Sequence, residues 1–224
     1  MSGLLPPCIL FDLDGTLVDS LPGIEFSVRA AFSTCKLPLP RKSLRDMIGP
    51  PIRSILSRAG NVVEETSLDA LERAFRASYD SEGWRRAVCF PAVDQVLRTM
   101  HERGHRLFVV SNKPRRSSLQ ILKRERILEY FEAIVTRDSR SPNYRGKEDM
   151  IGTLLAERAI TGEKCLMVGD TTEDANAAAS AGIQFIWMTH GYGTVIEMSS
   201  IPVARTLDNF SQFLSLIPKE SFCD

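Results

Sequence analysis

At 224 residues the chain is about one and a half times a usual domain, which leaves room for one domain with an insertion or for two small ones. Hydrophobic residues make up 43% and charged residues 25%, globular averages that exclude a disordered chain and permit a sizeable core. Lys+Arg and Asp+Glu balance at 28 each, so the charge footprint of a nucleic-acid binder is missing.

The five cysteines, Cys8, Cys35, Cys89, Cys165 and Cys223, are odd in number and never spaced as C-x-x-C. That argues against a disulfide framework and a zinc site, and suits a reducing compartment. The N-terminal stretch has no Lys or Arg ahead of its short apolar run, and Asp12 interrupts that run, unlike a signal peptide. No stretch approaches the roughly 20 apolar residues a membrane helix needs. The expectation is a cytoplasmic protein without a membrane partner.

In chain order, residues 8–12 (CILFD) form a short apolar run that closes in the acidic turn DLDGT, which predicts a buried strand and a loop. From Asp19 to about Lys36 the pattern turns helical, with Ser20 placed to cap it and Pro22 in its first turn. KLPLPRK breaks that helix. No strand pattern follows until about Arg86. Segments 41–48, 51–59 and 64–82 predict helices, punctuated by GPP at 49–51, by Gly60 and by Gly83. After Phe90-Pro91, helices at 91–103, about 115–129, 147–159 and 173–181 alternate with strands at 106–112, 132–136, 165–170 and 183–189. A final helix is expected beyond about residue 205. Such alternation implies a parallel sheet with helices on both faces. The strand at 8–12 must join that sheet, so the helical block is an insertion after it.

Three strands end in polar clusters: Asp12-x-Asp14-Gly15-Thr16, Ser111-Asn112-Lys113 and Gly169-Asp170-Thr171-Thr172-Glu173-Asp174. Each alone has a plainer account as turn or helix-cap chemistry. Together they converge, because ligands of open parallel sheets bind beyond the carboxyl ends of the strands. Asp12, Asp14, Asp170 and Asp174 would then crowd one crevice, at a cost of kilocalories unless a cation or protons compensate. Oxygen ligands without His or Cys favour a hard cation, and Mg²⁺ fits a site with few carboxylates and open water positions. Such an ion can bind a phosphoryl oxygen.

FDLDGTLVDS (11–20) resembles the first motif of the haloacid dehalogenase superfamily in its phosphatase branch. SNK (111–113) resembles the second motif, Lys147 is similar in placement to the third, and GDTTED (169–174) resembles the fourth. FPAVDQVL (90–97) and Gly191-Tyr192-Gly193 are similar to the phosphoglycolate phosphatase-like subgroup. The resemblance runs from Cys8 to about Gly193. It implies an α/β fold, a Rossmann-like parallel-sheet core of residues 1–17 and 88–224, with residues 18–87 as an inserted all-helical cap.

It also implies roles. Asp12 would be the nucleophile that forms an aspartyl-phosphate, and Asp14 the general acid and then base. Ser111 would bond the phosphoryl group, with Asn112, Gly15 and Thr16 also at the substrate. Lys147 would neutralise charge, although Lys147-Glu148 stands where relatives often have Lys-Pro. Mg²⁺ would be held by Asp12, the Asp14 backbone carbonyl and Asp170, with Asp174 as a secondary ligand. Asp14 favours phosphoryl chemistry over dehalogenation. A phosphonatase would want a cap lysine, and only Lys36 and Lys42 are on offer. The stretch Ile48–Arg53 resembles a cap loop that faces the site, where Arg53 could take a second anionic group. The expected partner is a small phosphorylated metabolite, phosphoglycolate first, and the expected state a monomer or homodimer. A nucleotidase, pyrophosphatase, sugar-phosphate phosphatase or phosphomutase of the same superfamily is the alternative, and a phosphate-sensing binding module or a receiver-like domain the alternative of another class.

The remaining features read plainly. Phe75, Tyr79 and Trp84 fit cap core better than a substrate platform. His101, His105 and His190 are isolated, and the basic run 113–126 lacks the aromatic interleaving of a nucleic-acid site. Arg137, Arg140 and Arg145 read as a solvated loop, with phosphate contacts the alternative.

Overall fold

The computed structural model describes residues 5–41, 43–199 and 201–217. Its centre is a six-stranded, all-parallel sheet built from β1 (Cys8–Phe11), β4 (Arg106–Ser111), β5 (Ala133–Thr136), β6 (Cys165–Gly169), β7 (Gln184–Met188) and β8 (Arg205–Leu207). The spatial order is β5-β4-β1-β6-β7-β8. The chain therefore runs outward on one side of β1 and restarts on the other, the reversal that opens a crevice at the carboxyl ends.

Alternate strand residues face opposite layers. Ile9, Phe11, Leu107, Val109, Leu166 and Val168 pack on the side of α4 (Val93–Glu102) and α5 (Arg115–Arg124). Leu10, Phe108, Val110, Met167 and Phe185 pack on the side of α6 (Lys147–Glu157) and α7 (Thr172–Ser180). Both faces are buried, which is why these strands read as continuous apolar runs. Cys8 and Cys165 are register partners with their Sγ atoms 3.0 Å apart as free thiols. Cys223 lies outside the described residues.

The helical insertion comprises α1 (Leu21–Thr34), α2 (Ile52–Gly60) and α3 (Glu65–Ser81) around Val28, Phe32, Leu56, Leu71, Phe75 and Tyr79. The expected helix at 41–48 is reduced to one 3-10 turn, Arg45–Met47, because prolines at 38, 40, 50 and 51 bracket a segment too short to propagate. Two strands went unread. β2 (Val18–Asp19) and β3 (Val88–Cys89) pair antiparallel where the chain enters and leaves the insertion, and two residues are too few to display a period.

The expected final helix is also absent from the described residues. Arg205–Leu207 pairs with Ile186–Met188 as an edge strand, and Phe210–Ser215 forms a 3-10 turn that buries Phe210 and Phe213 beside Phe11. Only Leu207 of that strand is buried, so no alternation marks it. Helix α8 (Val195–Met198) is a single turn. Among the described residues no helix is long and apolar enough to cross a membrane.

Candidate active site

Three neighbouring strand ends converge. Phe11 is paired with Val109 on one side and Val168 on the other, and the Asp12 N–H continues the ladder to the Val168 carbonyl at 2.9 Å. The chain then turns sharply. Gly15 has a positive φ of 86°, and a Cβ there would stand 2.3 Å from Asp170 Oδ2, so glycine permits both the turn and the approach. Gly191 allows a similar approach from the far loop, since its Cβ would meet Asp170 Cβ at 2.2 Å.

Behind the strand ends, carboxylate oxygens of Asp12, Asp170 and Asp174 lie within 4.8 Å of one another. Asp170 and Asp174 are held by designated donors. Thr16 Oγ1 donates to Asp170 Oδ1 at 2.8 Å, and the Tyr192 N–H to Asp170 Oδ2 at 2.7 Å. Asp174 Oδ2 accepts from the Thr171 N–H at 3.0 Å and from its hydroxyl at 2.7 Å, the capping box that starts α7. The other oxygen of Asp174 takes Lys147 Nζ, which also sits 2.8 Å from Asp12 Oδ1.

One buried ammonium thus stands against three buried carboxylates, in direct contact with two of them. Burial pushes the Asp12 carboxyl well above its ordinary range, Lys147 pulls it back, and Asp174 and Asp170 add repulsion. Burial and the charge of Asp174 push Asp170 up to about 7. Lys147 is held above the usual ammonium value: burial opposes its charge, but Asp12 and Asp174 outweigh that cost. An all-oxygen set with surplus negative charge fits a hard divalent cation, which would relieve the repulsion.

In front of the cluster lies a cavity of about 440 Å³ between sheet and cap. Asp12, Asp14, Ser111, Asn112 and Lys147 line its core side; Gly49, Pro50, Ile52, Arg53, Phe75 and Tyr79 line its cap side. Lys113 Nζ grips both oxygens of Asp14, at 2.9 and 3.1 Å, and lies 4.7 Å from the centre of the Tyr79 ring. Burial disfavours the Lys113 charge, but Asp14 and Tyr79 more than offset that and hold it above its usual value. Asn112 Nδ2 donates to Glu173 Oε1 at 2.7 Å and to the Gly49 carbonyl at 3.4 Å, tying the core to the cap loop.

Of the residues singled out in the sequence, Asp12, Asp14, Ser111, Asn112, Lys147 and Arg53 share this cavity, with Asp170 and Asp174 buried behind Asp12. Gly15 and Thr16 do not line it. The Gly15 N–H donates to the Val18 carbonyl at 2.8 Å and closes the turn, and the Thr16 hydroxyl holds Asp170. The Asp14 side chain stands apart from the three clustered carboxylates, paired with Lys113. Arg53 reaches the cavity wall, but Glu65, Asp69 (2.7 Å) and Glu72 (3.2 Å) of α3 hold its guanidinium.

Phe75 and Tyr79 stack with centroids 5.3 Å apart, and they belong to the cap core while also facing the cavity. Lys36 and the three histidines do not line it, and Lys42 lies outside the described residues.

Two contributors lie within motifs in the sequence but are assigned no role there. Lys113 closes the SNK stretch with no role of its own. Tyr192, flanked by glycines, accepts the Ser20 and Leu21 N–H groups at 2.9 and 3.1 Å on its hydroxyl and donates to Asp19 at 2.9 Å. It joins the loop on Asp170 to the first turn of the cap.

A family model described as haloacid dehalogenase-like hydrolase matches residues 9–188. The chain is 31% identical over 220 residues to the tyrosine-protein kinase PtkA of Mycobacterium tuberculosis, covering 96% of this chain and 74% of that protein. It is 27% identical to the phosphoglycolate phosphatase of Nitrosococcus oceani, covering 95% and 96%. A solved haloacid dehalogenase-like hydrolase from Streptococcus pneumoniae superposes with a TM-score of 0.85 at 25% identity, covering 96% of this chain and 99% of that one. The chain belongs to the haloacid dehalogenase-like hydrolase family and is an enzyme of its phosphatase type.

Proposed function

We propose that the protein is a cytoplasmic, Mg²⁺-dependent hydrolase of a small phosphate monoester that works through a phosphoryl-aspartate at Asp12. The observation that carries this reading is the pairing of two carboxylates with separate duties on one cavity wall. Asp12 is backed by Lys147 and the acidic cluster, whereas Asp14 is held apart by Lys113. A carboxylate oxygen of Asp12 attacks phosphorus, the bond to the leaving oxygen breaks, and Asp14 gives that oxygen a proton. Asp14 then takes a proton from the water that attacks the phosphoryl group, which releases inorganic phosphate and restores Asp12.

Lys147 lowers the cost of negative charge on the transferring group, and the Ser111 hydroxyl donates to one of its oxygens. Lys113 fixes Asp14 on the wall. Asp12, Asp170 and the Asp14 backbone carbonyl would hold Mg²⁺, with Asp174 as a secondary ligand, and the ion would supply positive charge to the phosphoryl oxygens. Closure of the cap on the phosphate would exclude water until the leaving group departs.

The partner in this reading is a small phosphorylated metabolite and neither nucleic acid nor membrane. Phosphoglycolate, named for several relatives, is the first substrate to try. The test is phosphate release from a panel of esters with and without Mg²⁺, using wild type and Asp12→Asn. Metal-dependent release that the substitution abolishes is expected; no release from any ester by folded protein contradicts the proposal. The panel includes ATP because several relatives bear a kinase name. Phosphoryl transfer from ATP to a tyrosine peptide, in place of phosphate release, would favour that second reading.

A further inference from the structure

We infer that Arg137, and not Arg53, receives a second anionic group, carboxylate or phosphate, on the leaving portion of the substrate; this rests on the phosphatase reading and names a residue for its specificity. Five cations line the cavity: Arg53, Arg76, Lys113, Arg137 and Lys147. Four are engaged. Arg53 is held by three acidic residues of α3, Arg76 by Glu72, Lys113 by Asp14, and Lys147 by Asp12 and Asp174. Among the described residues Arg137 alone of these has no ion pair or side-chain hydrogen bond, although it is half-buried.

Its placement follows from the sheet. Thr136, the last residue of β5, is the register partner of Ser111, so Arg137 leaves its strand beside Asn112 at the same carboxyl edge. The expectation of a solvated loop fits Arg140, which pairs with Asp149, and Arg145, whose side chain is 92% exposed. It does not fit Arg137. Here the Tyr144 N–H donates to the Arg137 carbonyl at 2.9 Å and the Ser139 N–H to the Thr136 carbonyl at 2.9 Å. The adjacent Asp138 carboxylate is taken by the Thr136 hydroxyl at 2.8 Å and the Arg115 N–H at 2.8 Å. The backbone is pinned while the guanidinium is left without a counter-charge. An unpaired fork carried on a pinned backbone at the cavity wall is suited to bidentate capture of an anion.

The experiment compares phosphoglycolate with 2-hydroxyethyl phosphate, its neutral-ended analogue, and adds ethylene glycol bisphosphate as the phosphate-ended arm. Arg137→Gln is expected to lower the ratio of kcat/KM for an anionic over the neutral ester roughly 10- to 100-fold, with partial recovery in Arg137→Lys. The arm that loses more identifies the preferred anion. A ratio unchanged from wild type, or one shifted equally by Arg53→Gln, overturns the assignment. Binding of the same esters to Asp12→Asn protein, with and without Arg137→Gln, reads the contact without turnover. If wild type hydrolyses no ester but Arg137 still discriminates in binding, the phosphatase reading fails and the assignment to Arg137 stands. Discrimination in binding that survives Arg137→Gln, alongside normal turnover in wild type, does the reverse.

Discussion

Around Asp12, Lys147 and two carboxylates answer to one another in a buried set, whereas on the cap side of the cavity the charges pair at the surface. Lys147 is 3% exposed and serves Asp12 and Asp174, which are 6% and 0% exposed. Arg53 is 32% exposed, and its partners Glu65 and Asp69 are 79% and 54% exposed. Removing one member of the first set strands a charge in a low dielectric; removing one of the second hands its partners to water. Reaction chemistry therefore depends on geometry that tolerates little change, and the cap wall is free to vary around it.

The sharpest way to break that contrast is at Asp12, the proposed nucleophile. Asp12→Asn should lower kcat by roughly 10⁴-fold or more, as loss of a covalent catalyst does, and steady-state kinetics on the best ester reads it. Lys147→Ala comes next, at roughly 10²- to 10³-fold in kcat. Because it leaves Asp12 and Asp174 unpaired, it should also cost about 3–5 kcal/mol in denaturant unfolding of the metal-free protein. A Lys147 variant of normal stability would mean that the buried carboxylates do not need their ammonium.

The third consequence is a pH dependence. Asp170 stands at about 7 against an ordinary 3.8, and burial is the main cause. Between those values the folded chain holds a proton that the unfolded chain has lost. This group's contribution to stability is thus greatest below the ordinary value and falls as pH rises toward 7. Mg²⁺ should offset that fall, so the gain in unfolding midpoint on adding Mg²⁺ should widen from about pH 5 to about pH 8. A gain that does not vary with pH would separate the cluster from metal binding. The smallest effect belongs to the cap: Arg53→Gln should barely move the unfolding midpoint, since its ion pairs are open to solvent.

The same contrast governs what the sequence discloses. Asp12, Ser111 and Asp170 each follow an apolar run buried on both faces, so strand ends and their polar residues stand out locally. Even the capping role of Asp174 is written within four residues of Thr171. Thr16 bonds Asp170 across 154 positions and Tyr192 reaches Ser20 across 172, and no local pattern encodes such contacts. The fate of Arg53 was hidden for a related reason. Its partners lie on the next helix, and only the packing of α2 against α3 makes that face the one Arg53 meets. Two short strands and one edge strand were missed because a period cannot be read from two or three residues.

The most direct measurement is to catch the phosphoryl group on the protein. Wild type mixed with a good substrate and Mg²⁺, quenched in acid and treated with borohydride, would have any acyl phosphate reduced to the alcohol, which turns an aspartate into homoserine. Peptide mapping should find homoserine at position 12, dependent on substrate and on Mg²⁺. Phosphate release with no modification at residue 12, or modification at another carboxylate, would contradict the assignment of Asp12 as the nucleophile.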